Sequence, residues 1–262
     1  MKRQVAWAMG KANAEDLLLS QESDTEAYYG RLRKARELSK RAAGAAKRDE
    51  AQETAAICEI VSALREIETG DASSTVKSVR WALSLAPTRE VKILAAIALA
   101  RAGDTTRARP LINELESKNP TNTLVKFYWV PALRASLEIH AGNPQTAASL
   151  LETAAPYELS QDSNLTFMWA MYPVYIRGQA YLLAHKPGPA AEEFRKVLDH
   201  PGIVQNGVFG ALSRLQLARA KVMMGDRDGG RKQYQDFLSL WKDADPDVPL
   251  LREAKAEYAK LN

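Results

Sequence analysis

The chain has 262 residues, of which 46% are hydrophobic and 26% are charged, and its formal net charge is +4. This composition is apolar enough to fill a large core, and its Ala, Leu, Glu, Lys and Arg residues favour helix throughout. The single cysteine, Cys58, excludes an internal disulfide and a cysteine metal cluster, and we expect its thiol to be buried. The longest purely apolar run, residues 93–100, is too short to cross a bilayer. We therefore expect an all-α protein that does not insert into membranes.

Residues 1–22 begin the chain with an incomplete helical pattern. An apolar stretch from Val5 to Gly10 follows two basic residues, as in a signal peptide, but Lys11 interrupts it and it is too short. The sequence leaves open whether the chain is complete or is the C-terminal part of a longer protein. We expect a cytoplasmic protein by default, and an extracytoplasmic one if the parent protein carries an upstream membrane segment.

The segment from Arg31 to Arg48 carries most of the excess positive charge, with eight basic residues and one acidic residue, Glu37. Such a segment is typical of a surface that binds nucleic acid or an acidic partner. It is also typical of an ordinary solvated helix face. We favour the second interpretation, because the basic residues form no clean stripe and no stacking aromatic residues accompany them. Nucleic-acid binding is therefore not expected.

A turn recurs along the chain at a fixed distance from a later proline. Gly70 is followed 17 residues later by Pro87, Gly103 is followed 17 residues later by Pro120, and the two glycines are 33 residues apart. Glycine ends a helix, a following Asp or Asn begins the next one, and proline stops that second helix. Related turns are found at Gly142-Asn143 and Gly225-Asp226. The spacing predicts a series of helix-turn-helix units.

We predict that these units form one domain over residues 1–262, with a final helix over 249–261 that covers its open end. The predicted units are 1–22 (partial), 24–48, 50–87, 88–120, 122–160, 164–202 and 204–243.

One unit resembles the tetratricopeptide repeat (TPR) most closely, in the series Gly178-Gln-Ala-Tyr181, Ala190 and Phe194, which closes near Pro201. Weaker matches surround Gly103, Gly142 and Gly225. This resemblance implies a right-handed superhelical α-solenoid. It also implies a concave groove that binds a protein or peptide.

Longer segments resemble the C-terminal TPR region of bacterial, particularly acidobacterial, eukaryotic-like serine/threonine kinases. The segments are 23–38, 155–159 and the later part from Tyr175 through Asp247. In that family a kinase or DNA-binding domain typically precedes the repeats. The chain itself contains no Gly-x-Gly-x-x-Gly, His-Arg-Asp or Asp-Phe-Gly motif. We therefore expect no enzymatic activity from it, and an upstream kinase or DNA-binding domain of the same parent protein is a candidate partner.

Two similar stretches contain the candidate binding residues: Trp129-Val-Pro-Ala-Leu-Arg134 and Tyr172-Pro-Val-Tyr-Ile-Arg177. Each arginine precedes a small residue, at a place where a repeat of this type usually has an aliphatic side chain. Three interpretations stay open: an internal ion pair with a residue such as Glu138, a groove pocket for an anion or C-terminal carboxylate, and exposure through a shift in helical phase. We predict a partner-binding groove formed by Trp129, Arg134, Tyr172, Tyr175, Arg177 and Gln179.

The three histidines, His140, His185 and His200, lie near predicted helix ends and lack the spacing of two metal ligands on one helical face. Capping or surface roles are therefore expected, and we predict neither a metal nor a cofactor. The leading functional hypothesis is a non-catalytic scaffold that binds a protein or peptide in its groove. The alternative is a regulatory or sensor region of a larger signalling protein such as a serine/threonine kinase.

Overall fold

The computed structural model describes residues 2–160 and 169–261. Within these ranges the chain forms α-helices, one π-helical turn (Val125–Trp129) and one 3-10 turn (Ala155–Tyr157), without a strand. The helices are α1 (Lys2–Ala8), α2 (Glu15–Tyr28), α3 (Leu32–Arg48), α4 (Gln52–Glu68), α5 (Thr75–Leu85), α6 (Arg89–Arg101), α7 (Thr105–Lys118), α8 (Val130–His140), α9 (Pro144–Glu152), α10 (Tyr172–Leu183), α11 (Pro187–Asp199), α12 (Pro201–Val204), α13 (Val208–Met223), α14 (Arg227–Leu240) and α15 (Pro249–Ala259). The prediction of an all-α protein is confirmed for the described residues.

Neighbouring helices pack in pairs: α2 with α3, α4 with α5, α6 with α7, α8 with α9, α10 with α11, and α13 with α14. The turns inside several pairs have the predicted chemistry. The Asp104 carboxylate accepts the backbone N–H of Arg107 at 3.1 Å, and that of Asp226 accepts the N–H of Gly229 at 2.8 Å. Each aspartate therefore satisfies a donor that the first turn of the second helix leaves free.

The predicted boundary between units 1–22 and 24–48 is wrong, because α2 runs without a break from Glu15 to Tyr28. Ser23 and Asp24 lie in the middle of this helix and are buried. Both side chains bind the buried guanidinium of Arg65 on α4, which also contacts Ser39 on α3. The polar residues at the predicted boundary therefore form part of a buried network that joins three helices.

The α10/α11 pair shows the packing that the repeat pattern predicted at Gly178. A Cβ atom at this position would lie 2.6 Å from the ring of Phe194, so the two helices approach too closely for any larger residue. Phe194 and Ala190 are fully buried on α11. Tyr181 is only partly buried and packs at the edge of the same core.

The end of the chain returns to its beginning, so the row of helix pairs closes on itself. Helix α13 contacts both α2 and α4. Beyond α14, the Trp241 indole N–H donates to the carbonyl of Tyr28 at 2.9 Å, and the N–H of Asp245 donates to the carbonyl of Gly30 at 3.1 Å. Gly30 has a φ of +76°, and a Cβ there would lie 2.5 Å from Ala244. Only glycine allows this approach.

A second contact joins α15 to α4, where the N–H of Leu250 donates to the carbonyl of Thr69 at 3.3 Å. Nearby, the backbone N–H of Arg33 donates to the Asp245 carboxylate, and its side chain pairs with Asp247, both at 2.8 Å. The predicted final helix therefore packs against the N-terminal pairs of the array as well as against α14.

The basic segment lies mostly on α3, and acidic residues neutralise much of it. Six of its eight basic side chains form ion pairs with acidic residues: Arg31, Arg33, Lys34, Arg36, Arg41 and Arg48. Lys47 lies over the Trp81 ring, 5.7 Å from its centroid. These contacts favour the interpretation of the segment as an ordinary solvated helix face.

Cys58 is buried on α4, as expected, and burial raises the pKa of its thiol to about 12. The thiol is therefore protonated near neutral pH and packs as a small apolar group. Among the described residues, no helix is long and apolar enough to span a bilayer.

Candidate functional site

Three of the six predicted groove residues, Trp129, Tyr172 and Tyr175, are buried in the core, so the prediction that they face an open groove is wrong. Tyr172 and Tyr175 stack with ring centroids 6.0 Å apart, and both contact Phe209 of α13. The Tyr172 hydroxyl donates to Glu68 of α4 at 2.5 Å, across 104 residues of sequence. These aromatic rings fill the place where a central groove was expected.

Arg177 is also buried, with 4% of its side chain exposed, and the ion-pair interpretation is correct for it. Its guanidinium pairs with Glu158 and Glu193 and donates to the carbonyl of Leu151 at 3.0 Å. Burial by itself lowers the pKa of Arg177, but the two carboxylates outweigh it and raise the pKa overall. The side chain therefore stays charged, and the groove prediction is wrong for it as well.

Arg134 lies on the surface, with 47% of its side chain exposed, and pairs with Glu116 of α7 at 2.6 Å. The predicted partner, Glu138, instead binds the side-chain amide of Asn143. The structure therefore does not bring Arg134 and Arg177 into one site.

Gln179 lines the cavity with the most apolar wall among the pockets described for this part of the chain. Its amide oxygen accepts from Arg101 at 2.7 Å, and its amide nitrogen donates to the Tyr175 hydroxyl at 3.1 Å. The cavity has a volume of about 640 Å³ and lies between α4, α6, α8, α10, α13, α14 and α15. We call it the inner cavity.

Apolar side chains make up much of the wall of the inner cavity. They come from the C-terminal ends of the first helices of four pairs: Ile67, Ile139, Leu182, Leu183, Val222 and Met223. Leu183 and Met223 are 54% and 45% exposed, so the inner cavity opens to solvent beside them. Its volume lies within the range of roughly 300–1,000 Å³ that is typical of ligand sites.

Arg101 is the first of two arginines in the wall. Its guanidinium binds both oxygens of the buried Glu68, with Nε at 2.7 Å and Nη2 at 3.0 Å. Burial lowers the pKa of Arg101, but the neighbouring Glu68 carboxylate outweighs this effect and raises the pKa above its ordinary value. This ion pair joins α6 to α4 at the inner end of the cavity.

Arg219 on α13 is the second arginine. It binds the two oxygens of Glu257 through Nε at 2.9 Å and Nη2 at 2.8 Å, and Nη2 also lies 3.3 Å from Glu253. The Tyr234 hydroxyl donates to Glu257 at 2.7 Å, and burial together with this carboxylate raises the pKa of Tyr234. The final helix therefore supplies a carboxylate to the wall.

His140 completes the rim. Its Nε2 lies 2.8 Å from the carbonyl of Arg101, at the last residue of α6, so it satisfies a free acceptor at a helix end as predicted. His200 similarly contacts the carbonyl of Lys196 through Nδ1 at 2.8 Å. Within the described part of the chain, no three His, Cys, Asp or Glu side chains are grouped to hold a metal ion.

The sequence analysis missed most residues of the inner cavity, although a pattern in the sequence marks them. Each of four turn residues is preceded, three positions earlier, by an apolar side chain that lines the inner cavity. The pairs are Ile67 with Gly70, Ile139 with Gly142, Leu182 with His185, and Val222 with Gly225. These four apolar residues hold equivalent positions in four helix pairs, and together they line one wall of the inner cavity.

Comparison of the sequence with protein-family models finds no match, and comparison with curated proteins finds no significant match. The geometry of the inner cavity is therefore the basis for assigning a function to the chain.

Proposed function

We propose that the chain is a non-catalytic scaffold of the TPR type that binds a protein or peptide partner, and that apolar residues of the partner enter the inner cavity. The observation that carries this proposal is the open, mainly apolar wall formed at the ends of the first helices of four pairs. Apolar pockets with a few fixed polar groups are typical of the anchor points of protein interfaces.

The two exposed side chains at the opening support the proposal. Leu183 and Met223 both line the inner cavity, and each leaves about half of its surface in water. Large aliphatic side chains at the rim of a concave surface gain free energy when a partner covers them, at about 25 cal/mol per Å² of apolar area. The binding site therefore lies at the helix ends, and the buried aromatic residues around Tyr172 and Tyr175 support it from below.

A pull-down from lysate with a matched pair of variants tests this proposal. Met223→Glu places a carboxylate in the wall of the inner cavity. Met224→Glu makes the same change at the next residue, which is 55% exposed and does not line the inner cavity. Both variants should keep the helical circular dichroism spectrum of the wild type.

We expect a partner that wild type and Met224→Glu retain and that Met223→Glu loses. A partner retained equally by all three proteins would place binding elsewhere on the surface and overturn this site. Binding that requires a longer parent chain would favour the alternative, a regulatory region of a larger signalling protein.

A further inference from the structure

Both arginines of the inner cavity are held by carboxylates through the same edge of the guanidinium. Arg101 uses Nε and Nη2 to bind Glu68, and Arg219 uses Nε and Nη2 to bind Glu257. Each positive charge is therefore balanced by a neighbouring negative charge before any ligand enters.

Arg101 keeps one nitrogen that no described residue uses. Its Nη1 forms no hydrogen bond with any residue that the structure describes, whereas the Arg219 side chain also has the Tyr234 hydroxyl as a partner. Nη1 of Arg101 is not among the buried polar atoms that lack a partner, so it remains accessible to solvent. An arginine side chain has five N–H donors, and here two of them on Arg101 are available.

This arrangement favours an uncharged acceptor over an anion. A carboxylate that entered the inner cavity would approach Glu257 in the wall and Glu68 behind Arg101, and it would lose hydration against an apolar surface. A carbonyl oxygen accepts the same N–H groups without that repulsion and with a smaller cost of dehydration. The other polar groups of the wall include two uncharged amides, Gln179 and Gln216.

We infer that the inner cavity recognises an uncharged aliphatic residue within a polypeptide segment, and that it discriminates against a terminal carboxylate. The aliphatic side chain packs against the apolar wall around Leu182 and Val222. A backbone carbonyl oxygen of the bound residue accepts from Arg101. This inference rests on the proposed function and specifies the chemistry of the partner.

Two small probes that differ in the group bonded to the leucine carbonyl carbon test the inference. Acetyl-leucine N-methylamide represents a leucine inside a chain, and acetyl-leucine, ionised at pH 7, represents a C-terminal leucine. We would titrate each probe against the full chain by saturation-transfer difference NMR. We expect the carboxylate to bind about tenfold more weakly than the amide, because of the cost of burying a charge. Met223→Glu should abolish binding of the amide, and Met224→Glu should leave it unchanged.

A variant of the final helix makes the test sharper. Glu257→Gln keeps the shape of the side chain and removes the charge that balances Arg219, leaving Glu253 as its weaker partner at 3.3 Å. We expect the preference for the amide to narrow to less than about threefold or to reverse, because the arginine then attracts an anion. The unfolding midpoint of this variant should be measured beside that of the wild type.

The inference would be overturned if the carboxylate probe bound wild type as tightly as the amide probe or more tightly, and if Met223→Glu abolished the binding of the carboxylate probe. That result would leave the proposed function standing, since an apolar ligand would still occupy the inner cavity. Binding of neither probe would also overturn the inference, and the pull-down decides separately whether a protein partner uses this site.

Discussion

Arg134 and Arg177 occupy equivalent places in successive helix pairs, yet one is exposed and the other is buried. They are 43 residues apart, and each directly precedes a small buried residue, Ala135 or Gly178. Arg134 has a single ion pair at the surface, whereas Arg177 has two carboxylates and a backbone carbonyl around it. The local sequence therefore does not decide which of the two arginines is buried.

The surrounding helices make the difference. Glu193 on α11 corresponds to Leu150 on α9, at the same spacing of 43 residues, so the pair that contains Arg134 lacks this carboxylate. The second partner of Arg177, Glu158, comes from the segment after the 3-10 turn. Burying a charge requires partners that satisfy it, and here other elements supply them.

Removing the buried arginine should have the largest effect. Arg177→Ala leaves Glu158 and Glu193 in the core, with the half-buried Lys196 as their remaining partner. We expect the free energy of unfolding to fall by about 3 kcal/mol, since unpaired buried charges are strongly destabilising. A urea titration followed by circular dichroism measures this loss, and a loss below about 1 kcal/mol would contradict the buried geometry.

Removing the partner carboxylate together with the arginine should restore part of the stability. In Arg177→Leu/Glu193→Leu, position 193 takes the residue found at the equivalent position 150. We expect the double variant to be more stable than Arg177→Leu alone by about 1–2 kcal/mol, because neighbouring sites in one network are not additive. A double-mutant cycle with Glu193→Leu gives the coupling energy, and a value near zero would show that Glu193 does not interact with the arginine.

The exposed arginine should tolerate removal. Arg134→Ala breaks only a surface ion pair in which both side chains are 47% exposed. We expect a loss of less than about 1 kcal/mol. Moreover, this small difference should shrink further at high salt, which screens exposed charges. A large, salt-independent loss would mean that Arg134 has buried partners in solution.

Leu150→Glu should have the smallest effect, although it introduces into the α8/α9 pair the carboxylate that Glu193 supplies in the α10/α11 pair. Leu150 and Arg134 line the same shallow surface pocket. We expect a change in the free energy of unfolding within about 0.5 kcal/mol, because a new exposed pair contributes little. A destabilisation as large as that of Arg177→Ala would show that Leu150 is more tightly packed than its partial burial indicates.

The sequence predicted the helix pairs best where the turns are punctuated by Gly, Asp and Pro. Helices α4 to α7 lie inside the units predicted from Gly70, Gly103 and their following prolines. Helix α2 was misjudged because it has no side-chain cap at Ala14 and because polar residues, Ser23 and Asp24, are buried in its interior. Ser23 and Asp24 bind Arg65, which lies on α4, and the local sequence of α2 contains no information about that contact.

The candidate site was predicted less well, and the reason lies in long-range contacts. Tyr172 and Tyr175 have the spacing of exposed groove residues on one helix, but the closure of the array covers them with α4 and α13. The contact between Tyr172 and Glu68 spans 104 residues, and helical periodicity carries no information about it. Gln179 lies one turn nearer the helix end than Tyr175, and it lines the inner cavity.

The return of Trp241 to Tyr28 fixes how many helix pairs the array can hold. In an open array, a further pair can be inserted between two others, because each pair contacts only its neighbours. In this chain an inserted pair would carry Trp241 and Asp245 away from Tyr28 and Gly30, and their hydrogen bonds would be lost. The same contacts have a consequence during synthesis. The parts of α2 and α4 that contact α13 and the segment around Trp241 stay uncovered on the ribosome until those later residues have emerged.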